Sequence, residues 1–257
     1  MSRSRTILEA LRYGGLRAGL AHISARIFGD PRFLRPASSI DFRHFGLNSS
    51  DTLSQFIKVL LPSKSENEIS EALSAARTGI DLLITNRSIQ LEFPERWNSG
   101  KNLQYLLGAM VILLKPSVVV ETGTANGASA AAISLALEHN QSGHLWSYDI
   151  EPATGQLVPQ HLRKRVSFVQ VSGSESDFAK ELSKLDLKSG KSIFLHDSDH
   201  SYLGQKSDYQ LASQLGFNYI LSDDVDSSLA FCDFARDHGK IFFDAPKFIG
   251  AFIGTKL

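Results

Sequence analysis

The stretch Val118-Val119-Val120-Glu121-Thr122-Gly123-Thr124-Ala125-Asn126-Gly127-Ala128-Ser129 constrains the fold of this chain more than any other. A β-branched run favours a strand, a glycine-containing turn follows its acid, and an alanine-rich helix begins near Asn126. Strand, tight turn and helix in succession form a unit that can hold a nucleotide-like group. At the start of such a helix the backbone N–H groups are unpaired and the dipole is positive.

From Ser117 onward, strands and helices alternate. The pattern predicts strands at 117–121, 144–149, 166–171, 191–196, 217–222, 240–243 and 249–254. Helices are expected at 126–139, 174–185, 203–215 and 226–237. Apolar runs bracketed by helices point to an α/β fold, with a mostly parallel sheet covered on both faces. Only Asp244-Ala245-Pro246-Lys247 separates the last two strands, so they should pair antiparallel as a terminal hairpin.

Residues 1–95 read as helical and lack strand alternation. Ile7, Leu8, Leu11, Leu16, Leu20, Ile23 and Ile27 recur at helical spacing, with seven arginines and two acids over residues 1–40. Such a basic amphipathic helix can lie on a membrane surface or dock on a partner, and packing on its own domain or on a second subunit is the plainer reading. A helix from about Asp51 to Leu61 stops at Pro62. Ser65-Glu66-Asn67-Glu68 forms a capping box that opens another helix, to about Thr85. Phe93-Pro94-Glu95-Arg96-Trp97 breaks the pattern and marks a boundary between a helical region, 1–95, and an α/β domain, 96–257. Asn102 to Leu114 is a helix leading into that domain. The helical region is expected to form a lid, or substrate or homo-oligomer contacts.

The chain balances 27 Lys and Arg against 27 Asp and Glu, which gives no hint of a polyanionic partner. No basic stripe with interleaved aromatics suggests a nucleic-acid substrate. Cys232 is the single cysteine, so a disulfide framework is ruled out and a reducing compartment fits. No apolar run reaches the roughly 18 residues of a membrane span, and no signal-peptide pattern opens the sequence. Stable membrane insertion is therefore not expected, and a cytoplasmic location is.

Gly123 and Gly127 have a G-x-x-x-G spacing. Position 125 is Ala125, so the G-x-G-x-x-G fingerprint of nicotinamide enzymes is absent. The second strand ends at Asp149, 28 residues after Glu121, where an acid can accept both hydroxyls of a ribose. The alternative for Asp149 is a turn or helix-cap residue. Glu121-Thr122-Gly123 with Gly127 and Ser129, followed by Asp149, resembles motif I and its acidic partner in class I S-adenosylmethionine-dependent methyltransferases. Their fold is similar to a Rossmann sheet with an added antiparallel strand. The resemblance covers about residues 95–257. It implies that Gly123 lets the backbone approach the methionine part of the cofactor, that Asp149 holds the ribose, and that Ser172-Gly173 flanks the adenine. Its expected cofactor contacts are Glu121, Thr122, Gly123, Asn126, Gly127, Ser129, Asp149, Ile150, Ser172, Gly173 and Asp197.

His196-Asp197-Ser198-Asp199-His200-Ser201-Tyr202 follows one buried strand, and Ser222-Asp223-Asp224 ends the next. Adjacent strands lie about 4.8 Å apart, so these carboxylates should converge beside the cofactor loop. Like charges there repel, and a divalent cation such as Mg²⁺ would relieve them. Helix capping by Asp199, Ser201, Asp224 or Asp226 is the alternative, and it explains one acid per helix. The segment also resembles the Asp-Gly-Asp-His-Ser-Tyr stretch of macrocin-type small-molecule O-methyltransferases, with Ser198 in place of glycine. That resemblance implies Mg²⁺ ligation by Asp197, Asp223 and Asp224, and a base at Asp199 or His200. His196 reads as a structural histidine. The expected activity is methyl transfer to a hydroxyl of a small molecule of sugar or natural-product type. A non-catalytic S-adenosylmethionine-binding module acting through its N-terminal helices is the alternative.

Overall fold

Two capping boxes start the helices that precede the sheet. In the computed structural model, which describes residues 40–85, 90–244 and 247–254, Thr52 Oγ1 accepts from the Gln55 N–H and Gln55 Oε1 accepts from the Thr52 N–H. This pair opens helix α1 (Leu53–Leu60), after which Pro62 prevents continuation. The expected box at Ser65 forms in the same way. Ser65 Oγ accepts from the Glu68 N–H at 3.2 Å, and the Glu68 carboxylate accepts from the Ser65 N–H at 2.8 Å. It opens α2 (Glu66–Thr85). A single 3₁₀ turn, Glu95–Trp97, leads to α3 (Lys101–Leu114). The basic amphipathic helix read before residue 40 lies outside the described residues.

The strands are β1 (Ser49–Ser50), β2 (Val118–Thr122), β3 (His144–Asp149), β4 (Val166–Gln170), β5 (Ser192–His196), β6 (Tyr219–Ser222), β7 (Lys240–Asp244) and β8 (Lys247–Ile253). They form one sheet in the order β1-β7-β8-β6-β5-β2-β3-β4. β8 runs antiparallel between β6 and β7, as the short Asp244–Lys247 connection requires, and the other pairings are parallel. Between the strands lie α4 (Ala128–Asn140), α5 (Glu175–Leu182), α6 (Tyr202–Leu215) and α7 (Ala230–Phe234).

β2 lies inside the sheet between β5 and β3, and its alternating side chains reach both apolar layers. Val119 joins a cluster with Leu106, Met110 and Ile133 of α3 and α4, and with Phe56, Ile69 and Ile80 of α1 and α2. Val118 and Val120 join the opposite cluster with Phe178, Phe194, Tyr209 and Phe231. Burial on both faces is why these strands read as continuous apolar runs. Each fully buried Phe or Leu contributes about 1.5–3 kcal/mol.

Three elements differ from the sequence expectation. The segment before residue 95 contributes a strand, β1, which pairs parallel with β7 at Ser49↔Ile241. Two residues are too few to show an alternating pattern. The helix expected over 226–237 shortens to α7, because Asp224 takes a left-handed φ of 49° and accepts the Ser227 N–H in a turn. Finally, the last strand begins at Lys247 rather than 249, so that Lys247 is paired in register with Asp244.

Candidate active site at the carboxyl ends of the parallel strands

The loop after β2 is held by its neighbours on every side. Gly123 has φ +84°, and a Cβ there would collide with the carbonyl oxygen of Asp197. Gly127, also at φ +84°, is the N-cap of α4, and a Cβ would lie 2.8 Å from Gly155 Cα. Only glycine suits such positions. Gly123 therefore has a structural reason of its own, the close approach of the β5 end. Asn126 is fully buried. Its Oδ1 accepts from the Phe93 N–H, and its Nδ2 donates to Phe93 O and Asn98 Oδ1. This amide ties the loop to the segment before α3.

Glu121 is fully buried at the end of β2. It accepts from Ser147 Oγ, which lies 2.7 Å from Thr124 Oγ1. Burial pushes its carboxyl up to about 7, against the nearby hydroxyls of Ser129 and Ser147, with Asp149 adding repulsion. Glu121 Oε1 has no hydrogen-bond partner among the described residues. Asp149 accepts from the Ala125 N–H at 2.9 Å and the Glu151 N–H at 3.0 Å, which binds the end of β3 to the loop. A carboxylate has about four acceptor sites, so Asp149 keeps capacity for a ribose. Ile150 beside it is 40% exposed. A Cβ on Gly173 would lie 3.2 Å from Ile150 Cγ2, so the turn after β4 adjoins this apolar side chain. The Ser172 N–H donates to Asp177, and the Ser172 hydroxyl lies 3.1 Å from that of Ser174.

One residue past the β5–β6 ladder, the Asp197 N–H donates to Thr122 O and the Asp223 N–H donates to His196 O. The two carboxylates thus stand side by side, as the strand spacing predicted. Burial raises the Asp197 carboxyl well above its usual range, and Asp223, Glu121 and Asp224 add to the effect. Burial, then Asp224, pushes Asp223 up to about 6. His200 Nε2 is 3.9 Å from Asp197 Oδ1 and 3.8 Å from Asp224 Oδ2. Burial holds the imidazole well below its ordinary value. Asp199 faces another way. Its two oxygens accept from the Ser201 N–H and Ser201 Oγ, just ahead of the Ser201 N-cap of α6. Asp226 accepts from the Phe248 N–H and anchors β8.

His196 is buried beneath the site, with Nδ1 2.7 Å from Asp208 Oδ2. Thr122 Oγ1 donates to the same oxygen and accepts from Ser198 Oγ. These contacts fit the structural role read for His196, and they place Thr122 in the same network.

The residue that the sequence reading passed over is Lys247. Its Nζ lies 2.9 Å from Asp224 Oδ2 and 3.8 Å from Asp223 Oδ2. Burial pulls its ammonium pKa down, but Asp223, Asp224 and Asp197 outweigh that and hold it above its ordinary value. The hairpin was legible, but that β8 lies antiparallel beside β6, and so begins where β6 ends, was not. A divalent ion needs these oxygens turned toward one centre. Here an ammonium already faces two of them, and among the described residues no group of three or more His, Cys, Asp or Glu is placed to hold a metal. The acids as arranged fit an ammonium rather than Mg²⁺. For S-adenosylmethionine the fit is better, with an unpartnered buried Glu121 oxygen, spare Asp149 lone pairs and an exposed Ile150 around one glycine-containing loop.

Residues 120–215 match the family model described as a methyltransferase domain. No curated protein matches the chain. Solved structures that resemble it include a putative O-methyltransferase from Klebsiella pneumoniae, 13% identical, covering 79% of this chain and 96% of that one, with TM-score 0.48. TomG, an O-methyltransferase from Streptomyces achromogenes, is 14% identical, over 83% of this chain and 99% of that one, with TM-score 0.47. An O-methyltransferase from Bacillus cereus is 15% identical, over 79% and 97%, with TM-score 0.45. The TM-scores of these likenesses all lie below 0.5. The matched segment lies in a Rossmann-like sheet with one antiparallel strand added beside β6, and over that segment the chain is similar to methyltransferase domains.

Proposed function

We propose that the protein transfers a methyl group from S-adenosylmethionine to a hydroxyl of a small molecule, of the sugar or natural-product type. The observation that carries this reading is the contact between the two halves of the site. The Gly123 loop touches the backbone of Asp197, so a cofactor on that loop lies beside the carboxylate and histidine cluster. Glu121, Asp149, Ile150 and the Ser172–Gly173 turn would hold the cofactor. When bound, it supplies an electrophilic sulfonium methyl. The chain's own task is to hold the acceptor in line and take its proton.

His200 suits that proton step. Its depressed pKa keeps the imidazole neutral at physiological pH. Nε2 is the nitrogen that faces the acids, whereas Nδ1 is buried without a hydrogen-bond partner among the described residues. The carboxylate of Asp224, 3.8 Å away, stabilises the imidazolium once the proton arrives. Asp199 supports this arrangement from a distance, since it fixes the turn into α6.

Calorimetry with S-adenosylmethionine, S-adenosylhomocysteine and NAD tests the cofactor. Binding of the first two and not the third is expected, and the reverse sinks the proposal. His200→Gln should leave S-adenosylmethionine affinity within about twofold and lower kcat by roughly 10²–10⁴, the usual worth of a general base. An unchanged kcat removes His200 from the mechanism.

A further inference from the structure

We infer that Lys247 is the built-in counter-ion of the carboxylate cluster, supplying with a side chain the positive charge for which Asp197, Asp223 and Asp224 would otherwise need a divalent metal. Three buried or half-buried acids converge at the ends of β5 and β6, and three like charges so close cannot all ionise without a cation. The ammonium 2.9 Å from Asp224 and 3.8 Å from Asp223 is that cation.

The start of β8, from which the Lys247 side chain springs, is fixed by the fold. The Phe248 N–H donates to Asp226 Oδ1 at 2.9 Å, and Phe248 O accepts from the Val225 N–H at 3.1 Å. The Phe248 ring packs on Phe42 at 4.7 Å and on Phe243 at 4.8 Å. Asp244, the residue paired in register with Lys247, is engaged at 2.8 Å by Asn102 Nδ2. The ammonium itself lies against Asp224 and Asp223 at the strand ends.

The consequence for the proposed reaction concerns the acceptor, and this part alone rests on the methyl-transfer reading. A metal grips two oxygens of a chelating acceptor such as a vicinal diol. An ammonium offers single hydrogen bonds and a unit charge. Lys247 therefore suits an acceptor that presents one hydroxyl and need not chelate.

The test is titration of the full-length protein with MgCl₂ and with MnCl₂ by calorimetry, with and without saturating S-adenosylhomocysteine. The wild type should show no binding below millimolar concentration. Lys247→Met should gain Mn²⁺ affinity at least tenfold, and Lys247→Arg should behave as the wild type. Micromolar Mg²⁺ or Mn²⁺ binding by the wild type, abolished in Asp223→Asn, overturns the inference; so does a folded Lys247→Met whose affinity is unchanged. If Lys247→Met does not fold, the wild-type titration decides alone. Heat from S-adenosylhomocysteine is recorded separately, so a failure of the methyl-transfer reading is not confused with a failure of this one.

Discussion

Glu121 is the residue on which position acts most strongly. A carboxyl that ordinarily titrates near 4.5 is held protonated up to about 7 by burial. Between those values the unfolded chain releases a proton that the folded chain keeps, so this residue's contribution to stability falls as pH rises through the window. By pH 8 the accumulated cost is about 3 kcal/mol. Glu121→Gln should thus melt higher than the wild type at pH 8, by several degrees, and match it at pH 4.5. A variant that melts lower at pH 8 would refute the shift. The same variant should bind S-adenosylmethionine more weakly, because the unpartnered Oε1 is exchanged for a group with different hydrogen bonding. That a glutamate stood at a strand end was visible in the sequence. That it is fully buried beside Ser147 depends on β3 lying alongside β2.

At the scale of elements, the junction between the Phe93–Trp97 segment and α4 rests on one amide. Asn126 satisfies the Phe93 N–H and carbonyl and also bonds Asn98, all in a buried setting. Asn126→Ala removes both hydrogen bonds to the Phe93 backbone, each worth about 0.5–1.5 kcal/mol in general. The urea midpoint should fall accordingly, with the slope of the transition unchanged. A midpoint within error of the wild type would show that water replaces the amide. Asn126 was expected to contact the cofactor. That expectation came from the loop alone; the structure adds to it a tie to residues 33 and 28 positions earlier in the chain. The β7–β8 hairpin teaches the same lesson. Its antiparallel pairing follows from a short connection, but the position of Lys247 among the acids follows from β8 entering between β6 and β7.

At the scale of the whole molecule, α1 and α2 share one apolar cluster with α3, α4 and the central strands. Phe56, Ile57, Ile69 and Ile80 are all buried in it. Residues on either side of position 95 are therefore expected to unfold together, with one calorimetric transition whose van't Hoff and calorimetric enthalpies agree. Phe56→Ala should lower the whole transition, by about 3–5 kcal/mol of stability. Two transitions, with only the earlier one moved by Phe56→Ala, would mean that the segment before residue 95 folds as a unit of its own. No helix among the described residues is long and apolar enough to cross a membrane.

By itself the sequence determined the α/β alternation, the terminal hairpin, the two strand ends that bear acids and the glycine-containing loop. Each is a property of neighbours along the chain: β-branched runs, a capping box at Ser65, or a turn too short for a crossover. Only the tertiary structure decided which polar groups face one another. It turned Asp199 toward Ser201, joined His196 to Asp208, and set Lys247 against Asp223 and Asp224. The physical reason is that charge and hydrogen bonding act over a few ångströms of space. The sequence order of β5, β6 and β8 does not state which strand is inserted between which.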